Sequence, residues 1–266
     1  MNPFRTPQSY HGYPHPMDRT RFSHIAHRGL LLCNPAGSTR VDRAIQLLQL
    51  PPNATALDIG AGKCEWLARI ATRYQTRCTA IEPAHPFAEE ARGLHANHIA
   101  SGLLTIIEST ASDYLASHPT TTFDTTLCIG SSHAFETYHK TLDNLIKHTK
   151  PGGTLILGEG YWKKKPDPAY LKLLGGEESE LTSHAANIQS AIDRGLTPLW
   201  CTTVTDDEWD EYEWTYSRNI ENFIRDHPTD PDAPAMLTRS RNWRNTVMNG
   251  GRDTLGFGLY LFRAPG

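Results

Sequence analysis

The stretch ALDIGAGKCEW, residues 56–66, decides the fold. An apolar run ends at Asp58, two glycines follow at alternate positions, Gly60 and Gly62, and a helix-like segment begins at once. Such a strand, turn and helix is the usual opening of a nucleotide-binding sheet. The open question is which nucleotide, because the third glycine is missing. A dinucleotide fingerprint, G-x-G-x-x-G, needs glycine at position 65, where the chain has Glu65. A carboxylate there is expected to crowd and repel a pyrophosphate.

Outward from this turn the chain alternates. Strands are expected at 55–59, 77–82, 104–108, 122–130 and 154–160, with helices at 63–74, 86–101, 111–117 and 133–149. That rhythm argues for a parallel sheet covered on both faces. A helix at 40–49, with Val41, Ala44, Ile45, Leu47 and Leu48 at helical spacing, precedes it. Beyond residue 180 the order changes to a helix at 181–196, a strand at 197–205, helices at 206–228 and 233–248, and a closing strand at 254–263. One domain over 1–266 is expected. Residues 1–50 serve as flap and helix, 51–205 as cofactor-binding core, 206–250 as a helical lid insertion and 251–266 as closing strand. Residues 1–22, rich in Pro, His and Tyr, read as unstructured or as a flap.

Composition narrows the class of function. Net charge is −3, which gives no general attraction to nucleic acid, and Lys163-Lys164-Lys165 reads as a solvated loop. No apolar run reaches the roughly 20 residues of a membrane span, and the polar N-terminus does not read as a signal peptide, so the expectation is cytoplasmic. Five scattered cysteines read as free thiols. His95 and His98 stand a helical turn apart without a third ligand, so no metal site is expected.

S-adenosylmethionine lacks a phosphate and carries a sulfonium, an amino-acid end and an adenosine. A glycine turn lets the backbone approach its amino-acid end, and acids nearby are tolerated. Asp58 suits the ammonium through water, and Glu82, at the end of TAIEP, suits the two ribose hydroxyls. NAD would use the same acid, so Glu82 alone leaves both open.

With LDIGAGKCEWL, TAIEPAHPFAEEAR, FDTTLCIGSSHAF, KPGGTLILGEGYW and GRDTLGFGLYLF in view, residues 23–263 resemble class I S-adenosylmethionine-dependent methyltransferases. The late block is similar to that of uncharacterised bacterial small-molecule members. The resemblance implies an α/β fold, a Rossmann-like doubly wound seven-stranded sheet whose last strand is antiparallel. It implies cofactor contacts from Asp58, Gly60, Ala61, Gly62, Glu82, Pro83, Thr110, Ala111, Ser112 and Gly130. Two positions depart from the pattern. Cys64 replaces a glycine, and Ser109 or Thr110, with Asp113 a turn later, stands where an acid often meets the adenine amino group.

Methyl transfer is an in-line displacement, so alignment of the acceptor is the main task, worth up to roughly 7–11 kcal/mol. His133, after the fourth strand, is the expected general base, since histidine titrates near pH 6.5. Glu159 and Tyr161, after the fifth strand, are further catalytic candidates, with Trp162 walling the same mouth. Trp209, Tyr212 and Tyr216 form an aromatic stripe on the insertion and read as lid and substrate wall, with Asp210 and Glu213 as polar partners. Arg241, Trp243 and Arg244 are expected either to hold a carboxylate or to pair with the acidic helix. His27 and Asn34, from the upstream flap, complete the substrate candidates. The expected acceptor is a small molecule, such as a secondary metabolite or heteroaromatic compound. The rival readings are a non-catalytic cofactor-binding protein of the same fold and a nicotinamide-dependent oxidoreductase.

Overall fold

The computed structural model describes residues 17–266. The chain enters through α1 (Arg19–Ala26) and α2 (Ser38–Gln46), then alternates. The order is β1 (Thr55–Ile59), α3 (Glu65–Tyr74), β2 (Arg77–Ile81), α4 (His85–Leu94), α5 (Ala96–Ala100), β3 (Leu104–Ile107) and α6 (Ala111–Ser117). It continues with β4 (Phe123–Ile129), a 3-10 turn (Ser132–Phe135), α7 (Tyr138–His148), β5 (Thr149–Trp162), α8 (Pro168–Leu174), α9 (His184–Ile192) and β6 (Thr197–Thr203). The insertion is α10 (Asp206–Asp226) and α11 (Ala233–Thr246), followed by a π turn, a single-turn α12 (Arg252–Thr254) and the closing β7 (Leu255–Arg263).

The seven strands form one sheet of order β3-β2-β1-β4-β5-β7-β6. All neighbours are parallel except those of β7, which runs antiparallel to both β5 and β6. This is the expected sheet. Chain order reverses between β1 and β4, so a crevice opens at their C-terminal ends, where open α/β sheets bind ligands.

Strand alternation sorts the core into two layers. Ala56, Leu127, Ile129, Ile156 and Leu261 face α2 and α3 on one side. Leu57, Ile59, Leu155, Leu157 and Phe262 face α6, α7 and α9 on the other. Each fully buried Leu, Ile or Phe contributes about 1.5–3 kcal/mol. A third, smaller core joins α1 to the insertion, with Phe22 and Ile25 against Ile220, Phe223 and Met236.

Several boundaries differ from the sequence expectation. The expected flap over 1–22 lies outside the described residues up to position 16, while residues 19–22 begin α1. Asp18 starts that helix by accepting from the Thr20 and Arg21 amides. The expected helix 86–101 breaks at His95, and the one at 133–149 begins only at Tyr138, where the Thr137 side chain caps it. Helix α8 had no counterpart in the expectation, although Asp167 caps it, Pro168 opens it and left-handed Gly175 ends it.

Candidate active site

The turn after β1 folds back on β2, with the Gly60 and Ala61 amides both donating to the Ile81 carbonyl. Gly60 has φ +72°, and a Cβ there would lie 2.4 Å from Ser131 Oγ. Only glycine meets both demands. Ser131 in turn donates to the Gly60 carbonyl at 3.2 Å, which joins the turns after β1 and β4. Glu82 closes the loop from below. One oxygen accepts from the Gly62 amide (2.8 Å) and the other from the Ala84 amide (2.9 Å). Burial raises the Glu82 carboxyl, and these two backbone donors oppose that shift.

Cys64 explains its own oddity. It stands just before α3 with φ +61° and ψ +17°, the left-handed conformation for which the family pattern has glycine. Its side chain is fully buried, so the departure is absorbed by packing. Glu65 turns away from the cavity and pairs with Arg69 at 2.7 Å. The expected repulsion of a pyrophosphate by Glu65 therefore has no geometric basis.

A cavity of about 940 Å³ starts at this turn and runs beneath α1, α10 and α11. Of the expected cofactor residues, Gly60, Gly62, Glu82, Pro83, Thr110, Ala111, Ser112 and Gly130 line it. Asp58 and Ala61 do not. Asp58 is buried under the turn with Oδ1 lacking a hydrogen-bond partner, and burial, then the Glu82 charge, pushes its carboxyl up to about 8. Thr110 caps α6, donating to Asp113 Oδ2 at 2.7 Å and accepting from the Asp113 amide. Asp113 thus serves the helix end and does not line the cavity.

Among the substrate candidates, His27, Trp209, Tyr212 and Tyr216 meet at the lid end. His27 Nδ1 donates to the Ser23 carbonyl (2.8 Å), so Nε2 accepts from the Tyr212 hydroxyl (2.9 Å). Burial lowers the His27 pKa to about 4, which keeps the ring neutral and this assignment stable. The ring lies 5.3 Å from Tyr216 and 5.8 Å from Phe87, both near edge-on. Glu213 lines the same end. Its Oε2 accepts from Trp243 Nε1 at 2.7 Å, and burial raises its carboxyl to about 7. Asp210 instead pairs with Arg252, while Arg241 and Arg244 both pair with Glu221.

His133 lines the cavity from the 3-10 turn after β4. Glu159 and Tyr161 do not join it. They share one face of β5 with Leu155 and Leu157, and the pleat sends Trp162 to the other. Glu159 is buried, accepts from the Gly160 amide at 3.0 Å and is raised by burial to about 7. Tyr161 packs on His184, and Trp162 donates to the Glu178 carbonyl beside Tyr170. Asn34 is also structural, its side chain accepting from the Ala36 amide.

Lys63 was not singled out from sequence, yet it connects the two ends of the cavity. Its side chain is almost wholly buried, and Nζ donates to the His27 carbonyl (2.9 Å) and pairs with Glu90 (2.7 Å). Glu90 also meets His24 of α1 at 2.9 Å. The glycine turn is thereby fastened to the helix that covers it.

Residues 57–155 match a protein-family profile described as a methyltransferase domain. The uncharacterised protein YjhP of Escherichia coli (strain K12) is 21% identical over 252 residues, spanning 93% of this chain and 100% of that protein. Its X-ray structure superposes with a TM-score of 0.84, covering 92% of this chain and 99% of that one at 20% identity. A SAM-dependent methyltransferase from Thiobacillus denitrificans, crystallised with S-adenosyl-L-homocysteine, gives 0.83 at 23% identity over 93% of this chain and 100% of that one. The Geobacter sulfurreducens SAM-dependent methyltransferase, also with S-adenosyl-L-homocysteine, gives 0.82 at 21% identity over 91% and 97%. The chain therefore carries a methyltransferase domain over residues 57–155, set in the fold of the SAM-dependent methyltransferases.

Proposed function

We propose that this chain is a cytoplasmic enzyme that transfers the methyl group of S-adenosylmethionine to a small-molecule acceptor. The observation that carries this reading is the single cavity joining the glycine turn to an aromatic lid. Its volume lies at the upper end of the roughly 300–1,000 Å³ of small-molecule sites, enough for cofactor and acceptor side by side.

The residues fit the cofactor. Each Glu82 oxygen keeps a lone pair for the ribose hydroxyls after its backbone bond. The unpartnered Oδ1 of Asp58 suits an ammonium group through a water. Ala111 and Ser112, which line the same cavity, would contact the adenine. When bound, the cofactor supplies a methyl carbon on a sulfonium, already activated toward an incoming lone pair. His27, Tyr212 and Tyr216, which line the cavity, would wall the acceptor and exclude water, and His133 from the same lining would take any proton the acceptor loses. A cavity roofed by α1, α10 and α11, in a chain of net charge −3, favours a compact acceptor over a nucleic acid.

Calorimetric titration with S-adenosylhomocysteine and NAD tests the reading. Micromolar binding of the first, weakened at least tenfold in Glu82→Ala, is expected. NAD binding in its place would overturn it. S-adenosylmethionine binding with no turnover across a broad acceptor panel would favour the non-catalytic reading.

A further inference from the structure

The lid end of the cavity holds two arginines without a counter-charge. Arg19, at the start of α1, and Arg239, within α11, both line it. Their neighbours on the same helices are matched: Arg21 pairs with Asp230 and Asp232, and Arg241 and Arg244 with Glu221. Among the described residues no carboxylate lies within ion-pair distance of Arg19 or Arg239. Residues 1–16, MNPFRTPQSYHGYPHP, contain no Asp or Glu, so that stretch has no side-chain carboxylate to offer either.

The two acids that do line the cavity are engaged elsewhere. Glu82 is held by the Gly62 and Ala84 amides, and Glu213 by the Trp243 indole. The arginines are also close enough to oppose one another. Burial first, and then the Arg239 charge, holds Arg19 below its ordinary pKa. Arg239 is positioned by Phe22, whose ring centroid lies 5.2 Å from its guanidinium carbon. Around the pair the walls are aromatic, formed by Phe22, Tyr212, Tyr216 and Trp243. Two facing cations in a partly desolvated, aromatic chamber are unfavourable empty and favourable around an anion.

We infer that the acceptor is an aromatic carboxylate, its charged end bridged by Arg19 and Arg239 and its ring laid against Tyr212, Tyr216 and Trp243. This rests on the methyltransferase reading above. A carboxylate can come from two sources, the acceptor or the methionyl end of the cofactor. The inference commits to the acceptor, because the arginines sit on α1 and α11 and the expected amino-acid end lies at the glycine turn.

The test is calorimetric titration of protein saturated with S-adenosylhomocysteine. The probes are benzoate, phenylacetate and 3-phenylpropionate, each against its neutral amide. At least one acid is expected to bind tenfold or more tightly than its amide. Arg19→Met and Arg239→Met should each lose about tenfold for that acid and leave the amide and S-adenosylhomocysteine unchanged. Arg241→Met, on the paired surface, should change neither. Equal binding of every acid and its amide would overturn the inference. Loss of S-adenosylhomocysteine in the arginine variants would also overturn it, by assigning the pair to the cofactor. If the wild-type protein fails to bind S-adenosylhomocysteine, the methyltransferase reading itself falls, a result distinct from both.

Discussion

At the sheet end of the cavity three glycines, Gly60, Gly62 and Gly130, stand in the lining, whereas the α1, α10 and α11 wall is built from large side chains. Gly60, Gly62 and Gly130 present main chain fixed by the strand ends, and Glu82 braces that main chain from beneath. Across the cavity His27, Tyr212, Tyr216, Arg19 and Arg239 reach in from helices that touch the sheet only at their margins. Gly60 leaves no room for an added atom and all three glycines hold positive φ, while a side-chain wall can be retuned residue by residue. The first arrangement suits an invariant ligand, and the second suits the partner that must be distinguished.

The largest effect is expected at the sheet end. Gly60→Val puts a branched side chain at φ +72° against Ser131 and should cut S-adenosylhomocysteine affinity at least a hundredfold by calorimetry. Retained affinity would show that the turn is less rigid than its contacts imply. Lys63→Met separates the two ends. Because Glu90 is partly exposed, a loss of about 2 kcal/mol is expected, below the roughly 3–5 of a fully buried pair. It should appear as a lower Tm and as faster amide exchange in α1 relative to β1. Uniform exchange would mean that Lys63 is no connector.

Tyr212→Phe removes the bond to His27 and should lower stability by about 1 kcal/mol in urea titration, with S-adenosylhomocysteine affinity unchanged. A tenfold loss of that affinity would erase the division between the two ends. Glu213 provides a pH test. Its folded pKa, about 7, exceeds the ordinary 4.5 of a glutamate, so the folded state holds the proton more tightly. Its contribution to stability is full below 4.5 and is lost as pH rises through 7. Glu213→Gln keeps an acceptor for Trp243 and should raise Tm at pH 8 while leaving it nearly unchanged at pH 4. Equal shifts at both pH values would place the effect outside this carboxyl. The smallest effect is expected for Cys64→Gly. Relief of left-handed strain, roughly 1–2 kcal/mol, is offset by lost burial, so stability should move by under about 1 kcal/mol. Affinity for S-adenosylhomocysteine that changes more than twofold would make the thiol part of the site.

The same contrast explains what was legible in the sequence. The turn at 58–62 and Glu82 are read from local spacing, because each lies at the end of a strand with a clear apolar run. The lid's contacts are remote: His27 and Tyr212 are 185 positions apart, and Arg21 and Asp232 are 211 apart. No periodicity encodes such pairs. Helices α1 and α8 were legible in principle, through Asp18 and through Asp167-Pro168 with Gly175. Placing Glu159, Tyr161 and Trp162 at one mouth neglected the strand period of two, which sends neighbours to opposite faces. Arg19 and Arg239 carry no local signal, because their meaning lies in the carboxylates they lack.

The antiparallel pairing of β6 with β7 sets Thr203 opposite Gly258, so the whole insertion leaves and re-enters the sheet at adjoining points. Topologically the lid is an enlarged hairpin loop. A loop with neighbouring ends can be exchanged for another of different length without rethreading any strand, since closure entropy grows only slowly with length. The α10–α11 wall of the cavity is in this sense a removable cartridge, and a graft between Val204 and Leu255 would exchange Tyr212, Tyr216 and Arg239 while Arg19, His27 and the glycine turn stay in place.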